Sequence, residues 1–136
     1  MKKHYFILAI LTLLFSSCST HYLTSGSLKE QLQNIDPNKI EDRYDFGLIG
    51  AALKGGGNFY NGITSVKCKD KNGNNVIINI RPQTGIRLTD NTGKRIQLYF
   101  DSVFLRDSLI YGSRSHFISL PMTPMNINNL TKIEIQ

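Results

Sequence analysis

The ten residues Lys71-Asn-Gly-Asn-Asn-Val-Ile-Ile-Asn-Ile80 decide how the rest of the chain is read. Val76, Ile78 and Ile80 alternate with Ile77, Asn79 and Arg81, the period of a strand with one face turned to a core. In front of them Lys71-Asn-Gly-Asn74 is a tight-turn signal, because glycine and asparagine accept the left-handed dihedrals that a hairpin needs. The preceding run, Thr64-Ser-Val-Lys-Cys-Lys-Asp70, alternates as well, so a hairpin is expected across the turn.

The same grammar continues toward the carboxyl terminus. Pro82 to Gly85 reads as a second turn leading into Ile86-Arg-Leu-Thr89, and Asp90-Asn-Thr-Gly-Lys94 as a third. Ile96, Leu98 and Phe100 form one face of a long strand. Ser108 to Gly112 and His116 to Leu120 read as a hairpin around Gly112-Ser-Arg-Ser115, and Lys132 to Gln136 closes the chain as a strand. About seven strands over residues 63–136 suggest a curled sheet or a small barrel.

On the amino-terminal side the period lengthens. Ser27-Leu-Lys-Glu30 is a capping-box pattern, and Leu28, Leu32 and Ile35 fall at helical spacing. Asp36-Pro37 ends that helix or opens another. Tyr44 to Gly57 is rich in apolar and small residues, and Phe46 to Leu53 suits the buried end of a second helix while being far below membrane-spanning length. The expectation is an α+β, β-dominated single domain over 27–136, with short helices in 27–54 and strands in 63–136.

Composition agrees with a packed core: 40% of residues are hydrophobic and 19% are charged. The 16 Lys and Arg stand against 10 Asp and Glu, a formal charge of +6. The basic residues are scattered rather than clustered, so nucleic acid is not expected as a partner; an anionic glycan or an envelope protein is.

The first 18 residues have a basic start at Lys2 and Lys3, an apolar run from Tyr5 to Phe15, and small residues before a cysteine. That is the layout of an export signal. Phe15-Ser16-Ser17-Cys18 resembles the bacterial lipobox, in the relaxed form typical of Bacteroidota lipoproteins with a β-rich domain. The resemblance covers this segment closely and the rest of the chain loosely. It implies removal of residues 1–17, acylation of Cys18, anchorage in a lipid bilayer, and a tether over 18–26. The tether, Ser19-Thr-His-Tyr-Leu-Thr-Ser-Gly26, lacks an acidic pair that would resemble a surface-export signal, so the expected place is the cell envelope, at the outer membrane facing the periplasm. With Cys18 acylated, Cys68 has no disulfide partner and is expected as a small inward-facing side chain.

Little in the chain speaks for catalysis. His4 lies in the signal, leaving His21 and His116, with no metal-ligand spacing around either, so neither metal nor cofactor is expected. His116 with Asp101 or Asp107 is the only outline of a serine triad, and no Gly-x-Ser-x-Gly run accompanies it. Gly50 to Gly55 has the spacing of a phosphate-binding loop without its Lys and Ser/Thr. Asp101-Ser-Val103 and Asp107-Ser-Leu109 resemble the short O-glycosylation acceptor of Bacteroidota, which makes Ser102 and Ser108 candidate acceptors.

Arg81, Arg87, Arg95, Arg106 and Arg114, interspersed with Tyr99, Tyr111, Phe100, Phe104 and Phe117, suit a sheet face that meets an acidic polymer or protein. Three functions therefore compete: a non-enzymatic binding module, a structural accessory subunit of an envelope assembly, and a small hydrolase built on His116. The first predicts an exposed basic or aromatic patch; the third requires its side chains to converge in a cleft.

Overall fold

The computed structural model describes residues 19–35, 41–42, 59–116 and 122–136. Residues 1–18, where an export signal and a lipidated cysteine are expected, and the apolar stretch from Phe46 to Leu53 lie outside these.

The chain builds β1 (His21–Leu23), α1 (Ser25–Leu32), β2 (Glu41–Asp42), β3 (Phe59–Tyr60), β4 (Ser65–Lys69), β5 (Asn75–Asn79), β6 (Gly85–Asp90), β7 (Arg95–Tyr99), β8 (Phe104–Arg106), β9 (Leu109–Tyr111), β10 (Met125–Asn126) and β11 (Leu130–Ile135). Six of these strands form one antiparallel sheet in the order β5-β4-β1-β11-β6-β7; β10-β9-β8 form a second and β2-β3 a short ribbon. The large sheet is open, with β5 and β7 at its edges, so the barrel alternative is set aside. The domain is β-dominated, as expected, but the strands number eleven among the described residues, eight of them within 63–136, where about seven were expected. The additional ones are two or three residues long, too short for alternation to show in the sequence.

The inner face of the large sheet carries Val66, Cys68, Leu23, Ile133, Ile135, Ile86, Leu88 and Leu98, all buried. Their period of two follows from the register, which sets Val66 against Ile78, Leu23 against Ile133 and Ile86 against both Ile135 and Leu98. Leu28 and Leu32 of α1 close over this face, joined by Phe100, Val103, Ile110, Met125 and Ile127 from the smaller sheet and its flanking 3-10 turns. Fully burying each such side chain contributes roughly 1.5–3 kcal/mol, which makes this layer the main source of stability.

Three local expectations are corrected. The helix starts one turn early: the hydroxyl of Thr24, not Ser27, caps it by accepting from the Ser27 N–H at 3.1 Å. The segment expected as a tether contains β1, which lies between β4 and β11 because Leu23 is apolar enough to join the core there. A second helix running through residues 36–54 is not compatible with Glu41–Asp42, which pairs as a strand with Phe59–Tyr60; the remainder of that expected helix falls outside the described residues.

The hairpin expected around Gly112 to Ser115 is also relocated. The observed turn is Asp107-Ser108, joining β8 to β9 with φ of 48° and 65°. Two consecutive left-handed residues are the mark of a primed two-residue hairpin turn, more often built with Asn-Gly or Asp-Gly. β9 then pairs on its other side with β10, Met125 opposite Ile110. The long strand expected through Phe100 stops at Tyr99, and Phe100–Ser102 turns as a 3-10 segment.

Candidate functional site

Alternation that buries one face of the large sheet delivers the other to solvent. Across the middle of that outer face runs a row set by the register: Asn75, Lys69, Tyr22, Glu134, Arg87 and Gln97. Beside it lie Ile77 and Lys67 at one end and Lys132, Thr89 and Arg95 at the other. Five cations, Lys67, Lys69, Arg87, Arg95 and Lys132, thus share a face with one carboxylate, Glu134.

That carboxylate is already engaged. Lys132 Nζ stands 2.8 Å from one Glu134 oxygen and Arg87 Nη1 3.9 Å from the other, and the Glu134 side chain is only 8% exposed. Lys132 also lies over the Tyr22 ring, 5.6 Å from its centroid. Arg87 is further held by Gln136, whose side-chain oxygen accepts from its Nη2 at 2.9 Å. The result is a fixed cationic centre, with Lys67, Lys69 and Arg95 more exposed around it.

A groove of about 550 Å³ opens on this face beside β4 and β5. Tyr22, Ile77 and the stems of Lys67 and Lys69 wall it, with Ser27 of α1 at one end. Among the described residues Ile77 is the large apolar side chain that stands exposed, at 67%. A second depression of about 360 Å³ sits at the β7 edge, where Arg114 joins Gln97 and Tyr99. An apolar wall beside lysine ammonium groups suits a ligand with an anionic group and an apolar ring face.

Arg87, Arg95 and Arg114 reach this side of the molecule, as the sequence suggested. Arg81 and Arg106 lie outside the strands of the large sheet, in a turn and on β8. Tyr22, Lys67, Lys69 and Lys132 were not singled out from sequence. The signal was present as strand parity, but the neighbours of β4 and β11 become visible only with the sheet order.

The histidine candidate has a different setting. His116 Nε2 lies 3.0 Å from Asp101 Oδ1, and its ring stacks on Tyr99 at 3.8 Å between centroids. Asp101 is 3% exposed and sits on the 3-10 turn after β7. Asn61 holds that turn: its side-chain amide donates to Phe100 O at 2.7 Å and Val103 O at 2.9 Å, and its backbone N–H to Asp101 O.

Of the two carboxylates that the sequence offered to His116, Asp101 is the one within hydrogen-bonding distance. Two nearby serine hydroxyls, however, are committed to backbone carbonyls: Ser102 Oγ donates to Tyr99 O at 2.7 Å, and Ser113 Oγ donates to Ser115 O. A hydroxyl has a single proton to donate, so neither is aimed at an imidazole base. Asp107, the alternative partner, is in the β8–β9 turn.

Comparison with protein families, with curated proteins and with solved structures finds no match to this chain.

Of the two acceptor candidates, Ser102 is buried at 1% exposure, with its oxygen also accepting the Ser113 N–H at 2.8 Å, while Ser108 occupies the β8–β9 turn. Cys68 is a free thiol on the inner face, and burial pushes its pKa up. No group of three potential metal-ligating side chains occurs among the described residues, and no helix among them is long and apolar enough to cross a membrane.

Proposed function

We propose that this chain is a lipid-anchored envelope protein whose domain acts as a non-enzymatic binding module, its outer sheet face taking an anionic glycan. The observation that carries the reading is the placement of Lys67, Lys69, Arg87, Arg95 and Lys132 on one open face around Tyr22, with Glu134 already neutralised. Carboxylates along a polymer can pair with cations set one strand spacing or more apart, about 4.8 Å each, while a sugar ring lies against Tyr22.

Anchorage rests on the resemblance of Phe15-Ser-Ser-Cys18 to a lipobox. Because β1 begins at His21, only Ser19 and Thr20 separate Cys18 from the sheet, at most roughly 11 Å of chain over the three steps. The anchored domain would therefore be held against its membrane, and two or three acyl chains would make the attachment stable.

The test has two arms on the full chain made in a bacterial host. Intact mass and detergent partitioning, beside Cys18→Ala, report cleavage and acylation. Titration with a polyuronate, beside neutral dextran and anionic lipid vesicles, reports the ligand. The reading expects acylated Cys18, salt-sensitive binding of polyuronate, and loss of binding in Lys67→Glu with Lys132→Glu. Equal affinity for dextran would remove the anionic-glycan reading, and an unmodified Cys18 would remove the anchor.

A further inference from the structure

The outer edge of β5 carries an inference independent of the glycan reading. In the β4–β5 hairpin the Asp70 N–H donates to Asn74 O at 2.9 Å, and the Ile80 N–H to Thr64 O at 2.8 Å. Asn74 and Ile80 therefore turn their backbone groups toward β4, and by the alternation of an antiparallel ladder so do Val76 and Ile78. Asn75, Ile77 and Asn79 turn theirs the other way, toward the edge of the sheet, where among the described residues no strand follows β5.

Edges of this kind are normally guarded by a charge, a proline, a bulge or a covering segment. β7, the opposite edge, has such guards: Arg95 begins it, and its Tyr99 N–H is taken by Ser113 O at 2.9 Å. Among the described residues β5 has none of them. From Asn74 to Ile80 there is no charged residue and no proline, its pairing with β4 runs without a register shift, and Ile77 at its centre is 67% exposed.

The strand also reads nearly the same in both directions about Ile77: Asn75-Val76-Ile77-Ile78-Asn79. We propose that β5 pairs with β5 of a second copy of this chain, antiparallel, about a two-fold axis through Ile77. In that register Ile77 meets Ile77 of the copy and Asn75 meets Asn79, and each such pair exchanges both of its N–H···O bonds. On the outer face the two Ile77 side chains cover one another, flanked by Asn amides that can both donate and accept. On the inner face half-buried Val76 meets Ile78, and the two cores become continuous.

Electrostatics permits the arrangement. Lys67, opposite Ile77 on β4, would stand three strand spacings from Lys67 of the copy, roughly 14 Å, beyond the screening length of about 8 Å at physiological salt. The paired sheets would present the basic face and its groove in duplicate.

The register gives a specific test by disulfide trapping of the full chain in detergent. An antiparallel directly opposed pair has Cα atoms about 5.5 Å apart, within disulfide reach. Under mild oxidation Ile77→Cys should run as a dimer on a non-reducing gel. Asn75→Cys alone and Asn79→Cys alone should not, whereas a mixture of those two should. The unsubstituted chain supplies the background of the native cysteines. Ile77→Lys, which sets two like charges on the axis without disturbing a buried position, should halve the mass measured by light scattering while leaving far-ultraviolet circular dichroism unchanged. Trapping of all single-cysteine variants alike would mean random collision and overturn the pairing. Absence of trapping at position 77, or a dimer that survives Ile77→Lys, would overturn it too. Polyuronate binding by the unsubstituted chain, measured alongside, would leave the glycan reading standing when the pairing fails.

Discussion

Gln31 completes the edge of β4 by hydrogen bonding both backbone groups of Lys67: its Oε1 accepts from Lys67 N at 2.8 Å and its Nε2 donates to Lys67 O at 3.0 Å. The register pairs β1 with β4 at a single position, Tyr22 opposite Lys69, because the chain leaves β1 at Leu23 to enter α1. A primary amide has the same donor and acceptor as a peptide group, so Gln31 continues the ladder where the strand has gone. It also fixes α1 against the strand that carries the groove's lysines.

Gln31→Ala should therefore lower stability by about 1–2 kcal/mol, one net contribution for each hydrogen bond lost. Gln31→Glu should be worse than Gln31→Ala if ionised, since a carboxylate cannot donate to Lys67 O. Urea denaturation followed by circular dichroism reads both. A Gln31→Ala midpoint equal to that of the unsubstituted chain would show that the bridge contributes nothing.

The β4–β5 and β6–β7 turns predict an acid dependence. The Asp70 carboxylate is held below its ordinary pKa of 3.8 chiefly by the Asn74 side-chain amide, with further N–H groups of Asn74, Asn72 and Gly73. Asp90 is lowered in the same way, first by the Thr92 hydroxyl and then by the N–H groups of Thr92 and Lys94. A carboxylate with a depressed folded pKa contributes stability that is present above 3.8 and is lost as the pH falls through the folded value. Unfolding midpoints measured from pH 7 down to pH 2.5 should drop below pH 4, and Asp70→Asn with Asp90→Asn should flatten that drop. An identical acid limb in the double variant would place its origin elsewhere.

These turns also show what sequence can supply and where it stops. Lys71-Asn-Gly-Asn74 and Asp90-Asn-Thr-Gly-Lys94 were readable because Gly73 and Gly93, at φ of 86° and 82°, occupy positions where a side chain is strained. The hydrophobic positions of β4, β6, β7 and β11 were readable because in each strand the apolar residues alternate with polar ones. Asp107-Ser108 was not readable as a turn, since neither residue advertises left-handed backbone as glycine does. β1 was hidden in a polar octapeptide, because a three-residue strand has no period; its place is set by partners far away in sequence, Ile133 and Lys69. The basic face was hidden for the same reason. Parity says which residues of a strand share a face, but only the order β4-β1-β11-β6 brings Lys69, Tyr22, Glu134 and Arg87 into one row.

His116→Ala should cost about 1–3 kcal/mol, the penalty for leaving the buried Asp101 carboxylate without that partner. The Tyr99 ring loses its stacked neighbour as well. Thermal unfolding of the variant measures this, and esterase assays on generic acyl substrates check the competing reading. Turnover by the unsubstituted chain that disappears in His116→Ala would revive the hydrolase, in spite of the committed hydroxyls of Ser102 and Ser113.

Cys68 should behave as a packing residue. With 5% exposure and a pKa raised by burial, it presents little thiolate to reagents at neutral pH. Labelling of the folded chain by a thiol-specific disulfide reagent should be slow at pH 8 and become fast on adding denaturant, with a single thiol reacting if Cys18 is acylated. Prompt labelling without denaturant would mean that the inner face opens readily at β4, contrary to the packing of Val66 and Cys68 beneath α1.

Glu134 separates stability from binding on the outer face. Its carboxylate is shared by Lys132 and Arg87, so Glu134→Gln removes the face's own counter-charge and frees both cations for a ligand. Stability should fall modestly, because Lys132 is half exposed and solvent screens its part of the pair. Affinity for a polyuronate should rise roughly fivefold, equivalent to about 1 kcal/mol, and the gain should fade as salt is added. Lys132→Gln should move affinity in the opposite direction. The opposed signs matter, because general loosening of the sheet would weaken binding in both variants. A Glu134→Gln protein that binds polyuronate no more tightly than the unsubstituted chain at low salt would show that the cationic row is not where the polymer sits.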